Sequence, residues 1–501
     1  MTSPTEQQFF DGLIEAIRHY LLEGTDTKKP VLTFVPPTQL REKIDITLSD
    51  TGKNPAALLR LCKQIMEMSV ATANPYFFNQ LYTGADIYGM LGDFLSSVLN
   101  TSMATYEIAP VFSHMEQEIF ACMAKKTQRE PGTYQGLMLA WGSLSILYAL
   151  MAARFHFFPH VIEEGMYGLP QLAIFTSDQG HYAIPKSAAT LWLGKKNIHT
   201  VPTDASGSMI PEALEKAILL AKEQWLTPFF VNATAWTTVL GAFDPIERIA
   251  ELCKKHTLRL HVDASRGGAA LFTSTHRQLL DGIQHADSYN FNPHKALRAP
   301  QQCSIFMIQK PGLLQQCNAY HSTYYFQKDK AYDTSFDTGD CYIQCARKND
   351  ILKLRLILQA HGLQWVQKNL EWALSLAAQF TQKVLDHPHF FLYQHPAYLN
   401  VCFRWLPPHL RTDTDLQTIL DHKETLHHLT AALKAQMLHD GTMIINHQPF
   451  KEFPNCIRQV FIRPDLDEHD LDAILHNLDK RGEAARNTMN NNARLAPANN
   501  V

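Results

Sequence analysis

Short apolar runs alternate with helical patterns between about residue 170 and residue 310, as in a largely parallel sheet whose strands are joined by crossover helices. QLAIFTS, FFVNATA, LRLHVDAS, SYNFNPHK and CSIFMIQ are the strand candidates. Pro211 opens the helix PEALEKAILLAKEQW, and Asp244 is placed to cap PIERIAELCKKH with Pro245 in the first helical position. In the second helix Ile246, Ile249, Ala250 and Cys253 share one face, which marks it as packed. Units of this βαβ kind bind ligands beyond the carboxyl ends of their strands. Asp263, Lys295 and the pair Thr237 and Thr238 stand at or just after such ends, where they can face one crevice.

The flanks read differently. MTSPTEQQFFDGLIEAIRHY has the pattern of an amphipathic helix and lacks the basic start and apolar stretch of a secretory leader. LSILYALMAARFHFF is interrupted by Arg154 and is too short to cross a bilayer. From about 361 to 480, helical patterns around 365–385 and 424–438 and the strand-like LNVCFRW and IRQVFIR predict a separate α+β unit. The polar tail RGEAARNTMNNNARLAPANNV is expected to be disordered. The implied division is an N-terminal helical segment (1–97), a large α/β domain (98–360), a small C-terminal domain (361–480) and a tail (481–501).

Composition narrows the partners. A chain of 501 residues with 46 % hydrophobic and 19 % charged residues can bury a sizeable interior, and its net charge of −3 offers no broad basic surface for nucleic acid. Small molecules or a second copy of the chain are the expected partners. Nine cysteines without a Cys-x-x-Cys pair point to reduced thiols in the cytoplasm, and the 24 histidines show no ligand spacing that implies a metal.

The stretch YNFNPHKA places Lys295 just past a buried run. A lysine forms an imine with an aldehyde cofactor, and a buried aspartate such as Asp263 holds a pyridine nitrogen protonated. With PYFFNQLYTGADIYG, NTSMATYEIAPVFSHME, FTSDQGHYAI, FVNATAWTTVLGAFDPI, LHVDAS, NFNPHKA and YDTSFDTGD in order, the chain resembles the group II pyridoxal-phosphate-dependent decarboxylases, particularly the animal-type glutamate and cysteine sulfinate decarboxylases. The similarity extends from about Asn74 to about Arg481.

This resemblance implies an aspartate-aminotransferase-like (fold type I) large domain and pyridoxal 5'-phosphate as cofactor. Lys295 would bind the cofactor aldehyde, Asp263 face the ring nitrogen and His181 stack over the ring. Gly142, Ser143, Asn292 and His294 match the phosphate-binding turn and its neighbours, Thr238 a threonine near the ring, and Ser265 a further cofactor contact. Arg458 matches the arginine that grips the substrate α-carboxylate, and Gln80, Tyr82 and Ser102 fall at the substrate end. A cytoplasmic homodimer with sites at the subunit interface is also implied.

Departures from the family pattern cluster at the site. Trp141 and Trp236 stand where glycine is usual, Arg266 where tryptophan is usual, and Arg298 and Pro300 follow the lysine in a stretch normally smaller or more apolar. Tyr82, Ser102 and Ala104 replace serine, asparagine and phenylalanine at the distal-carboxylate positions, implying an altered preference among acidic or small amino acids. Phe336 replaces a loop tyrosine that protonates Cα in relatives. An amino-acid decarboxylase is the leading expectation. An aldehyde synthase, on account of Phe336, and a cofactor-binding homologue without turnover are the alternatives.

Overall fold

The computed structural model describes residues 3–320, 322–463 and 466–495. Among them the strands are, in chain order, β1 (Phe77–Phe78), β2 (Tyr134–Leu139), β3 (Leu172–Ser177), β4 (Ile198–Val201), β5 (Thr227–Thr234), β6 (Arg259–Asp263), β7 (Ser288–Phe291), β8 (Ser304–Gln309), β9 (Phe390–Leu392), β10 (Asn400–Trp405), β11 (Ile444–Phe450) and β12 (Phe453–Val460). They form two sheets, each within its own compact unit. One unit runs from Ala85 to Trp372, and the other joins residues up to Gly84 with those from Ala373 onward.

In the larger unit the sheet order is β2-β8-β7-β6-β5-β3-β4. The run from β4 to β7 is parallel throughout, and β8 is antiparallel to both β7 and β2. Every residue of β3 is buried, and a strand covered on both faces needs the unbroken apolar run seen in LAIF. The helix Gly142–Phe157 is apolar nearly all round because it is itself interior: Ile146, Tyr148, Ala149 and Leu150 are each at most 2 % exposed. Arg347 and Glu116 form a buried bidentate pair at 2.5 and 2.9 Å, fixing the helix Pro110–Lys126. Removing one partner of such a pair costs about 3–5 kcal/mol.

The helix Ile246–His256 buries Ile246, Ile249, Ala250 and Cys253, the face that the spacing predicts, and ends at Thr257 in the left-handed conformation. Its start differs from expectation. Pro245 occupies the cap and Asp244 turns inward, accepting the Met209 and Thr234 amides at 2.7 Å each. A carboxylate that is 2 % exposed needs internal donors, and two backbone N–H groups supply them.

The smaller unit carries the sheet order β1-β11-β12-β10-β9, antiparallel except for the β1–β11 pair. The N-terminal segment is therefore not purely helical: Phe77 pairs with Ile444 and Phe78 with Ile445. A two-residue strand leaves no periodicity in the sequence. The helix Ile87–Leu99 falls in the larger unit, so the divisions expected after 97 and 360 lie after Gly84 and Trp372.

The tail differs most. A helix runs from Glu468 to Leu495, through most of the segment expected to be disordered, while residues 496–501 lie outside the described residues. Its buried positions past Arg481 include Ala485, and Gly482 lies so close to Trp405 that a Cβ there would meet the indole at 2.4 Å. Small residues carry this packing, so a reading weighted toward bulky apolar side chains passes over it.

Candidate active site

The larger unit gathers most of the predicted site residues at the carboxyl ends of its parallel strands. Asp263 closes β6 and is 6 % exposed. Its Oδ1 accepts the Ser265 amide at 3.1 Å and the Ser265 hydroxyl at 2.6 Å. Burial alone would raise its pKa, but the Lys295 ammonium, the His181 ring and the Ser265 hydroxyl outweigh that effect and hold the carboxyl below its ordinary value. Asp263 is thus an ionised carboxylate in a dry setting.

Lys295 does not end β7. It sits on the one-turn helix Pro293–Ala296 that follows, half-buried, with its N–H donating to the Asn292 carbonyl at 2.9 Å. Proline at the first helical position favours this turn over continued strand. Arg266 Nη1 donates to the Lys295 carbonyl at 2.8 Å, and the same guanidinium lies 5.4 Å from the ring centre of Trp236. Trp236 holds φ at +84° in the turn after β5, a conformation that a non-glycine residue rarely adopts.

His181 precedes the helix Ala183–Thr190, and its Nδ1 accepts the Ala183 amide at 3.2 Å. Burial lowers its pKa, so the neutral ring carries its hydrogen on Nε2. Burial likewise pushes His294 down to about 3, and the Trp141 ring packs edge-on against it with 4.6 Å between centroids. Trp141 and Trp236, two of the departures seen in sequence, therefore pack around the lysine segment.

Gly142 begins the helix Gly142–Phe157, with Ser143 exposed beside it. A Cβ on Gly142 would lie 2.5 Å from Ser265 Oγ and 2.9 Å from Asn292 Nδ2, so only a bare backbone fits there. Asn292 Oδ1 accepts the Ser304 hydroxyl at 2.7 Å. Asn292 Nδ2 and His294 Nε2 are buried nitrogens without a protein partner. Two unpartnered nitrogens, a glycine-lined helix start, an ionised buried aspartate and a half-buried lysine suit a group that carries an anion, a basic ring nitrogen and an aldehyde.

Thr238 is half-buried after β5, whereas Thr237 is buried and accepts the Ala242 amide through Oγ1 at 3.0 Å. Ser102 forms an isolated bridge with Lys348. Phe336 lies on the turn Thr334–Phe336 with its ring 5.4 Å from that of Tyr106 and 5.3 Å from that of His114. Gln80, Tyr82 and Arg458 belong to the smaller unit. There Gln80 is exposed and Tyr82 packs against Phe77. Arg458 is 3 % exposed on β12, flanked by β10 and β11; it is not a charge on an exposed edge strand.

Sequence reasoning missed a polar chain behind Asp263. Asn290 Nδ2 donates to Ser265 Oγ at 2.9 Å, and its Oδ1 lies 3.1 Å from His261 Nε2. His261 Nδ1 lies 2.9 Å from Ser288 Oγ. The register pairs Asp263 with Asn290 and His261 with Ser288. Period-two spacing of Ser288, Asn290 and Asn292, alongside His261 and Asp263, was the available signal.

A model of the pyridoxal-dependent decarboxylase conserved domain matches residues 37–406. The chain belongs to this family. It is a pyridoxal-phosphate-dependent amino-acid decarboxylase, a carboxy-lyase of the fold type I class. It is 40 % identical over 464 residues to the bovine (Bos taurus) acidic amino acid decarboxylase GADL1, covering 92 % of this chain and 88 % of the relative. It is also 40 % identical to the cysteine sulfinic acid decarboxylase of Mus musculus, covering 92 % and 93 % of the two chains. The crystal structure of mouse CSAD superposes with a TM-score of 0.92 at 37 % identity, covering 96 % of this decarboxylase and 99 % of that chain. Among the described residues no helix is long and apolar enough to cross a membrane.

Proposed function

We propose that this decarboxylase releases carbon dioxide from an acidic or small L-amino acid of the glutamate, aspartate or cysteine sulfinate type. The observation that carries the substrate class is the 40 % identity, over 92 % of the chain, to decarboxylases named for acidic amino acids and for cysteine sulfinic acid. Pyridoxal phosphate, when bound, supplies an aldehyde that takes up the amine and a conjugated ring that accepts the electrons left by carbon dioxide.

The remaining steps fall to the chain's own groups. The Lys295 amine would be the covalent anchor for the aldehyde. The Asp263 carboxylate, held below its ordinary pKa by Lys295, His181 and Ser265, would keep a ring nitrogen protonated. Neutral His181 would stack on the cofactor ring and offer its Nε2 hydrogen. The Gly142 and Ser143 amides, Asn292 Nδ2 and His294 Nε2 would hold the phosphate, and Ser265 and Thr238 would serve as further cofactor contacts.

The enzyme works as a cytoplasmic homodimer with sites at the subunit interface. None of the nine cysteines is in a disulfide, which suits a reducing compartment. The helix Ile87–Leu99 leaves Ile87, Leu91, Phe94, Leu95 and Val98 each 43–64 % exposed, an apolar face that a second copy would cover.

Borohydride reduction of the cofactor-loaded protein followed by peptide mass spectrometry is expected to place a pyridoxyl adduct on Lys295. Product analysis with glutamate, aspartate, cysteine sulfinate and aromatic amino acids is expected to show the amine of an acidic substrate. Turnover confined to aromatic amino acids would overturn the substrate assignment. Sedimentation is expected to give a dimer that Phe94→Glu weakens; a wild-type monomer would remove the dimer from the proposal.

A further inference from the structure

A second cluster of ligating side chains lies in the smaller unit, apart in sequence from every predicted site residue. His387 and His389 flank Pro388 in the turn that enters β9, and Asp479 comes from the helix Glu468–Leu495. One nitrogen of each imidazole and one Asp479 oxygen all lie within 4.8 Å of one another. We propose that His387, His389 and Asp479 bind one divalent transition-metal ion of the zinc type, with water in the remaining position, and that the ion ties the C-terminal helix to the edge of the smaller sheet.

The donor set is that of zinc: two imidazole nitrogens and one carboxylate oxygen, with an open fourth position. Zinc–nitrogen bonds of about 2.0 Å put tetrahedral ligands roughly 3.3 Å apart, so side-chain adjustments of at most about 1.5 Å close the set. His389 Nδ1 and Asp479 Oδ1 are 2.7 Å apart, closer than two tetrahedral ligands, so they separate by roughly 0.6 Å as the metal replaces the proton between them. The three residues are half-buried, which leaves a path for the ion and its water.

The surroundings hold the ligands in place. The Trp405 indole donates to Asp479 Oδ1 at 2.7 Å, the kind of outer partner that orients a metal-binding carboxylate. The turn itself is pinned: Phe390 N–H donates to the His387 carbonyl at 3.1 Å and Leu406 N–H to the His389 carbonyl at 2.8 Å. The His389 amide donates to His387 Nδ1 at 3.2 Å, and the rings meet edge-on with 5.0 Å between centroids. Arg411 is the nearby cation that would oppose a metal. It lies over the Trp405 ring and is paired with Glu483 at 2.6 Å, which offsets its charge.

An ordinary His389–Asp479 pair would account for two of the three residues and give His387 no part. The test is built on that difference. Full-length, cofactor-loaded protein, freed of excess cofactor and treated with EDTA, is titrated with Co2+ and then with Zn2+ as competitor. The variants His387→Gln and Asp479→Asn are carried in parallel, the second retaining an acceptor for Trp405. One equivalent of Co2+ is expected to give the intense visible bands of a tetrahedral site, to be displaced by Zn2+, and to raise the melting temperature of wild type. Each variant should weaken binding at least tenfold, leaving the Lys295-bound cofactor absorbance unchanged. Binding that is equal in wild type and His387→Gln would overturn the proposal, as would several equivalents insensitive to both variants or no tetrahedral spectrum in wild type.

Discussion

Arg266 joins the lysine segment to the turn after β5: its Nη1 donates to the Lys295 carbonyl at 2.8 Å while the guanidinium lies 5.4 Å from the centre of the Trp236 ring. A buried cation linked to the main chain of Lys295 disfavours a second positive charge there. Arg266→Met is therefore expected to raise the pH at which the Lys295-bound cofactor changes its visible absorbance, by about one pH unit, and to lower kcat at least tenfold. Spectrophotometric titration beside steady-state kinetics checks both. An unmoved titration would leave Arg266 a packing residue only.

Gly142 is the position where a single methyl group does most harm. Its Cβ would come within 2.5 Å of Ser265 Oγ and 3.1 Å of Asn290 Nδ2, atoms in the chain that supports Asp263. Gly142→Ala is expected to weaken pyridoxal phosphate binding tenfold or more, read by fluorescence titration of the apoenzyme, with little change in secondary structure by circular dichroism.

His261 makes acid stability testable. Burial lowers its folded-state pKa to about 4, against about 6.5 in an unfolded chain. Between these values the unfolded state binds more protons, so this histidine's contribution falls as pH drops from about 6.5 to about 4 and is level below that. The loss at pH 4 is on the order of 3 kcal/mol. Replacing His261 by Gln should flatten this part of the stability curve in denaturant titrations run at successive pH values. An unchanged slope would mean that His261 does not titrate differently in the two states.

Phe336 carries no hydroxyl, and its ring rests near those of Tyr106 and His114. The amine is nevertheless the expected product in air, without oxygen uptake, and Phe336→Tyr should leave its identity unchanged. Mass spectrometry with an oxygen electrode decides. Aldehyde formed with oxygen consumption, and suppressed in Phe336→Tyr, would make residue 336 the determinant of product.

The sequence by itself determined the parallel core, because strands buried on both faces and helices with one apolar stripe leave strong local patterns. β3, β6, β7 and β8 fall within runs read as strands, β5 overlaps its run but begins two residues earlier at Thr227, and Ile246, Ile249, Ala250 and Cys253 share the buried face that their spacing implies. The motif series likewise determined the family, since its residues recur in fixed order along the chain. What the tertiary structure alone decided depends on partners distant in sequence. β1 exists because Phe77 meets Ile444, the terminal helix packs through Gly482 and Ala485, and Asn290 reaches Ser265 only through the pairing of β6 with β7. His387 and His389 acquire a third ligand in Asp479, 90 residues beyond His389. Short-range periodicity records which face of an element is buried, whereas contacts across such separations are fixed only when the chain has folded.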